Sequence, residues 1–273
     1  MTGQGGRVAI VSGRGVLPAL VAAALDEPLV CAMEGFPPEG IAPDMTFRVE
    51  RLVPFLDHLR DSGIGTVIFA GAVQRPRLDP ALFDAATAQL VPRLLPALQG
   101  GDDALLRAVI GVFEEWGLEV AGVDDVAPDL VPLAGILTGT VSPADEKDAG
   151  RAAEIVATLG PMDVGQGAVV AQGLCLAIEA LPGTDAMLDF VATTRPTLKL
   201  AGTGTKGVLY KAPKPGQDHR IDLPAIGPAT VAKAAAAGLA GIAWAAGGAL
   251  LLDRQATVAA AQAAGLFLWA REP

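Results

Sequence analysis

Apolar residues in the first half of the chain fall into short aliphatic runs that alternate with longer stretches of helical period. Arg7–Val11, Leu29–Met33, Thr66–Ala70 and Leu118–Val123 are the short runs, rich in Val, Ile and Leu. Between them Leu17–Leu25, Val53–Asp61 and Asp103–Trp116 repeat apolar positions at three- and four-residue intervals, and a further helical pattern follows Asp79-Pro80. That spacing is the signature of amphipathic helices. Pro18 falls in a first turn, where its missing N–H costs little, and Gly63 and Gly117 stand where helix C-caps belong. Strands alternating with helices of this size predict parallel βαβ units with helices on both faces.

Beyond Thr138 the pattern changes. Small and polar residues run to Ala149, and Asp145–Leu159 predicts one connecting helix. Ala168–Ala171 and Leu174–Ile178 flank Gln172-Gly173, a hairpin signal. Val208–Lys211 predicts a strand, Pro224–Gly238 a turn and helix, and Gly241–Ala245 and Ala249–Asp253 two paired strands about Gly247-Gly248. A helix over Arg254–Ala264 and a strand over Leu266–Trp269 close the chain. The expected fold class is α/β: a Rossmann-like, doubly wound parallel domain over residues 1–140, a connector over 141–165 and a mixed-sheet α/β domain over 166–273.

Composition narrows the function classes. Of 273 residues, 51% are hydrophobic but only 4% aromatic, so the core must be aliphatic. Two cysteines cannot staple a chain of this length; Cys31 and Cys175 each sit in an apolar run and are expected as reduced, buried thiols of a cytosolic protein. The net charge of −10 disfavours nucleic-acid binding and electrostatic attraction to an anionic membrane. No export signal is visible at the start. Ala234–Leu252 carries no charge and reaches spanning length. It is mostly Ala and Gly and breaks at several glycines, so no transmembrane segment is expected.

Four places carry candidate chemistry. Ser12-Gly13-Arg14-Gly15-Val16-Leu17-Pro18 follows the first strand and resembles a GxGxxG nucleotide loop with Pro18 in place of the last glycine. Glu34, about 20 residues on, suits ribose recognition. The loop is either a phosphate or nucleotide cradle or a tight turn alone. Asp102 and Asp103 precede a helix, either as caps or as metal or water ligands. Arg75 and Arg77 follow a strand at the end where open parallel sheets bind ligands, either as a phosphate clamp or as a solvated pair. The densest stretch is Lys211-Ala-Pro-Lys214-Pro-Gly-Gln217-Asp218-His219-Arg220-Ile-Asp222-Leu-Pro224, whose three prolines stiffen a loop carrying cations and carboxylates. Gln166, Glu179, Thr184 and Asp185 belong with it. Two histidines are too few for a zinc site of Cys or His type, whereas oxygen ligands are plentiful and point to Mg2+ or Mn2+ held with substrate phosphates. No Walker A sequence and no GxSxG elbow is present. The residues alone suggest metal-assisted phosphate-ester or anhydride chemistry. A nicotinamide-dependent oxidoreductase and a non-catalytic nucleotide-sugar or lipid carrier stand as alternatives.

Over nearly its whole length the sequence resembles the LpxI-type UDP-2,3-diacylglucosamine diphosphatases. The resemblance rests, in order, on VAIVSGRGVLPALV, FAGAVQRPRL, GDDALLRAV, DVGQGAVVAQG, GTDAML, KAPKPGQDHRIDLPAIGPATV and AAGLAGIAWAAGGALLLDR. It implies a cytoplasmic enzyme of lipid A biosynthesis in Gram-negative bacteria. That enzyme is Mg2+-dependent and splits UDP-2,3-diacylglucosamine into UMP and 2,3-diacylglucosamine 1-phosphate (lipid X), with the ligand between two α/β domains. The key acid of the family's R-x-D-L-P motif is Asp222 here. The mechanism expected from this is attack of water on one phosphorus. Asp222 and Asp218 hold Mg2+ or orient the water, and Lys211, Lys214 and Arg220 stabilise phosphoryl charge. The substrate contacts expected are Gly13, Arg14, Gly15, Leu17, Pro18, Arg75, Asp102, Asp103, Gln166, Thr184, Asp185 and Gln217. A homodimer and a peripheral contact with the membrane stay open. The sequence departs from the family pattern at Leu181-Pro182, before GTDAM, and at an insertion-like stretch, Leu198–Thr205.

Overall fold

A computed structural model describes residues 6–74, 77–99, 102–198, 200 and 205–272. The chain divides into two compact units, Met1–Pro128 and Asp129–Pro273.

The first unit is a parallel sheet of β1 (Arg7–Ser12), β2 (Leu29–Met33), β3 (Met45–Phe47), β4 (Ile64–Ala70) and β5 (Glu119–Ala121), in the order β3-β2-β1-β4-β5. The helices are α1 (Leu17–Ala22), α2 (Leu52–Asp61), α3 (Ala85–Gln99), α4 (Asp102–Glu115) and α5 (Val123–Val126). The order reverses between β1 and β4, the switch point where such sheets take ligands. Phe55 of α2 stacks on Phe47 and meets Phe113 of α4 edge-on, which in turn meets Phe69 of β4. The few aromatic rings of an aliphatic chain are thus concentrated where helices meet the sheet.

In the second unit β6 (Gly135–Thr138), α6 (Pro143–Leu159), β7 (Gly167–Ala171), β8 (Leu174–Ile178), α7 (Gly183–Thr194), β9 (Val208–Lys211), β10 (Ala225–Ile226), α8 (Pro228–Ala236), β11 (Gly241–Ala245), β12 (Leu250–Leu251), α9 (Arg254–Ala264) and β13 (Phe267–Arg271) follow one another. Six strands form one mixed sheet, β6-β13-β11-β9-β7-β8, parallel only across β13-β11-β9. Side chains alternate between its faces. Ala168, Val170, Val208, Tyr210 and Ala243 pack with Ala149, Ala152 and Val156 of α6. Val169, Leu209, Ile242 and Trp244 pack with residues of α7, α8 and α9 on the other face. The next position of that second set on β9 is Lys211.

Several boundaries differ from the sequence expectation. Residues 129–165 belong to the second unit, because β6 pairs with β13 and α6 covers β7 and β9. The two strands expected to pair about Gly247-Gly248 do not. β11 lies inside the six-stranded sheet, whereas β12 pairs in parallel with β10. The strand expected to reach Val123 stops at Ala121, and Gly122 turns the chain into α5. No helix among the described residues is long and apolar enough to cross a membrane.

Gln172 and Gly173 close the β7–β8 hairpin with both φ angles positive, as a two-residue turn of the primed type requires. The buried Asp148 of α6 holds this turn. It accepts the N–H of Gln172 at 3.0 Å and of Gly173 at 2.7 Å, and the hydroxyl of Thr205. Asp148→Ala would remove these bonds from a turn that is partly open to water and whose Gln172 N–H keeps Thr205 Oγ1 as an acceptor. A loss of about 1–3 kcal/mol is expected, read as a lower urea midpoint.

Cys31 is buried, but Cys175 on the edge strand β8 is exposed, contrary to the expectation for both. Burial, with Asp44 beside it, pushes the Cys31 thiol up to about 12. At pH 8 a disulfide reagent should therefore titrate one thiol per native chain, Cys175, and two in guanidinium. Two thiols reacting at equal rates in the native protein would contradict the burial of Cys31.

Candidate active site

The stretch from Lys211 to Pro224 leaves β9 and returns at β10, and rings against glycines hold it. A Cβ on Gly160 would lie 2.4 Å from Pro215 Cδ, and one on Gly248 2.9 Å from Pro213 Cδ. Inside this frame Lys211 is buried and points to the α7–α9 face. Its Nζ donates to Thr184 Oγ1 at 2.7 Å and to the carbonyl of Ala225 at 3.4 Å. Glu179 Oε2 lies 3.9 Å away, and Thr184 donates to that same oxygen at 3.0 Å. Burial pulls the ammonium below the usual lysine range, and the charges of Glu179, Asp222 and Asp185 oppose the shift. Glu179 reaches this position because Gly165 and Gly167 have no side chain. A Cβ there would stand 2.1 Å from the Glu179 carbonyl oxygen and 2.6 Å from Oε2.

Asp222 is half-buried. Gln217 Nε2 donates to its carboxylate and, at 2.6 Å, to its carbonyl oxygen. Gln166 Nε2 approaches the same carboxylate oxygen at 3.4 Å and Gln217 Oε1 at 3.1 Å. Lys211, Asp222, Gln166, Gln217, Thr184 and Asp185 therefore form one neighbourhood. The other charges of the loop are engaged differently. Lys214 pairs with Asp163. Arg220 grips both oxygens of Asp218, at 2.9 and 2.7 Å. Asp218 is thus a counter-ion to its neighbour two residues on.

Among the described residues no group of three or more His, Cys, Asp or Glu side chains could hold a metal unaided. Mg2+ rarely needs one, since it is commonly bound by one or two carboxylates together with substrate phosphate oxygens. Asp222 fits that arrangement, and Asp218 would do so on exchanging Arg220 for the cation.

In the first unit the loops after β1 and β4 are joined backbone to backbone. Arg14 and Ala72 exchange two hydrogen bonds of 2.9 Å, and Gly13 N–H reaches the carbonyl of Ala70 at 2.8 Å. A Cβ on Gly13 would meet the Ala72 oxygen at 2.6 Å, so this glycine serves close approach. Arg14 donates to the carbonyl of Gly35 at 2.8 Å and lies over the Phe36 ring. Leu17 and Pro18 open α1, which is only six residues long. Glu34, the ribose candidate, is spent on an ion pair with Arg48. Asp102 and Asp103 begin α4. Arg77 is exposed; Arg75 lies outside the described residues, as do 199 and 201–204 of the insertion-like stretch. Leu181 is almost fully exposed.

Sequence reasoning grouped Glu179 with the loop but gave it no partner; the structure sets it beside Lys211, and pairs Asp163 with Lys214. The closest signal for Glu179 was Gly165 and Gly167, two positions on one strand approach that both lack a side chain.

The fold and site define a two-unit α/β protein whose second unit sets a buried lysine beside an amide-held aspartate. Models of the LpxI N-terminal domain and the LpxI C-terminal domain match residues 7–130 and 133–269. The chain is 46% identical over 217 residues to UDP-2,3-diacylglucosamine pyrophosphatase LpxI of Caulobacter vibrioides, a match covering 79% of this chain and 77% of that protein. It belongs to the LpxI family.

The depressed Lys211 predicts a pH dependence of stability. Between the lowered folded value and the usual 10.5 the unfolded chain binds the extra proton. Stability therefore rises with pH across that window as the buried charge is relieved. Urea unfolding at pH 8 and pH 10 should show wild type gaining on Lys211→Met as pH rises. An unchanged difference would mean that burial does not perturb Lys211.

Proposed function

We propose that this chain hydrolyses the pyrophosphate bond of UDP-2,3-diacylglucosamine, giving UMP and 2,3-diacylglucosamine 1-phosphate, as a cytoplasmic step of lipid A biosynthesis. The observation that carries it is the meeting of Lys211 and Asp222 at the two ends of one ring-stiffened loop, in a member of the LpxI family. A diphosphate needs positive charge where its phosphoryl oxygens gather charge, and hydrolysis needs a group to position water.

Lys211 supplies the first. Its ammonium is nearly enclosed, so its field is weakly screened by solvent. Thr184 and Glu179 hold it in one place, which spares reorganisation during the reaction. Asp222 supplies the second. Its carboxylate accepts a proton from water or orients it towards phosphorus, and it is the ligand we assign to Mg2+ together with diphosphate oxygens. When bound, Mg2+ withdraws charge from the phosphoryl oxygens. Lys214 and Arg220 line the same loop, each with a carboxylate partner of its own. In the first unit the Gly13–Gly15 loop, at the switch point of a parallel sheet, is assigned to phosphate or nucleotide recognition.

Purified protein with UDP-2,3-diacylglucosamine and Mg2+ should release UMP, and EDTA should stop the release. Asp222→Ala should lower turnover by about 10²–10³-fold. Turnover near that of wild type would remove Asp222 from the reaction. Tight binding without UMP over hours would mark a carrier instead.

A further inference from the structure

Gln166 and Gln217 are expected from the sequence to contact substrate, but the structure gives them other work. Gln217 is buried, with 7% of its surface exposed. Its amide can face only one way. The backbone N–H of Lys214 donates to Oε1 at 2.8 Å, and an N–H cannot accept. Nε2 must therefore face Asp222, where it meets the carbonyl at 2.6 Å and the carboxylate oxygen Oδ2. Both ends of this side chain are engaged inside the loop. Gln166, just before β7, is oriented by the same logic. Its Nε2 faces two acceptors, Gln217 Oε1 and Asp222 Oδ2, so it must present the amine to them. Two amides on different chain segments thus converge on one oxygen of one carboxylate.

We propose that Gln217 and Gln166 are positioning residues for Asp222. They bond Oδ2 and fix the plane of the carboxylate. The carboxylate of Asp222 cannot swing away without giving up its bond from Gln217, and Asp218, the nearest carboxylate in sequence, is gripped by Arg220. The inference rests on the reading of Asp222 as the acid of the hydrolysis. It goes beyond that reading by moving both glutamines from substrate binding to orientation.

A kinetic cycle tests it. Gln217→Leu and Gln166→Leu are each made in wild-type and in Asp222→Asn protein, and UMP release from UDP-2,3-diacylglucosamine is followed with saturating Mg2+. A carboxylate that loses its fixed orientation commonly costs about 10–100-fold. Gln217→Leu should therefore lower kcat by that factor with KM changed less than threefold, and Gln166→Leu, which makes the longer bond, should do so more weakly. In the Asp222→Asn background neither change should cost more than a further threefold, because the group they orient is already impaired. A rise in KM with kcat kept would return the glutamines to substrate binding and overturn the proposal. Full, multiplicative losses in the Asp222→Asn background would overturn it too, as the effect would not pass through Asp222. If Gln217→Leu does not fold, Gln166→Leu carries the cycle alone, since Gln166 is only half-buried. Wild-type protein that releases no UMP would sink the underlying reading instead. Release by wild type with unchanged kcat in both glutamine variants would sink this inference only.

Discussion

A positive charge shut inside the second unit sets the terms for much of what surrounds it. An ammonium cannot leave water unless its hydrogen bonds and its charge are answered locally. Lys211 receives its answer from a hydroxyl on α7, a carbonyl at β10 and a carboxylate at the end of β8. Those three partners come from three different connections in the chain. Removing the lysine would leave the acids around it uncompensated, and removing the acids would leave the lysine stranded. The strands therefore have to end where they do, and the glycines at 165 and 167 have to stay small, for one charge to be tolerated.

The two units solve the problem of an aliphatic sequence in different ways. In the first, helices and sheet are joined by four phenylalanines in mutual contact, and the β1 and β4 loops are tied through main-chain hydrogen bonds. The Gly13–Gly15 loop there is held by its backbone, with the Arg14 side chain bound over Phe36 to the Gly35 carbonyl. The second unit keeps its sheet covered on both faces with Ala, Val and Leu, and concentrates its polar groups at the ends of β8 and β9. Charge is scarce in this chain, and in the Lys211–Pro224 loop it is paired at short range. The Asp218–Arg220 and Lys214–Asp163 pairs show that even the most charged loop is close to neutral in its own bonds.

Much of this was legible in the sequence. β2, β8, β9, β11 and α9 fall on the residues that periodicity marks, because each is a clear run bounded by turn residues. Misreadings came where local pattern and long-range pairing part company. Leu250–Leu251 reads as a continuation of a hairpin, yet its partner is Ala225–Ile226, about 25 residues back in the chain, and no local signal announces a parallel bridge. Met45–Phe47 is too short to stand out, and exists as a strand because β2 offers it an edge. The site divided in the same way. The proline-framed loop is conspicuous by composition, so Lys211, Gln217 and Asp222 were found together. Which carboxylate would answer which cation was not readable, because Arg220 can reach Asp218 or Asp222 equally well on paper. Burial, which selects Glu179 as the counter-charge of Lys211, is a property of the folded sheet.

The two ring-on-glycine contacts, Pro215 against Gly160 and Pro213 against Gly248, seat the start of the loop from outside. Both contacts stand at the mouth of the strip, within four residues of Lys211, and everything from Gly216 to Asp222 hangs beyond them. A larger residue at position 160 or 248 would push the proline rings outward and carry the whole hanging segment with them, so two positions remote in sequence set where Gln217 and Asp222 stand.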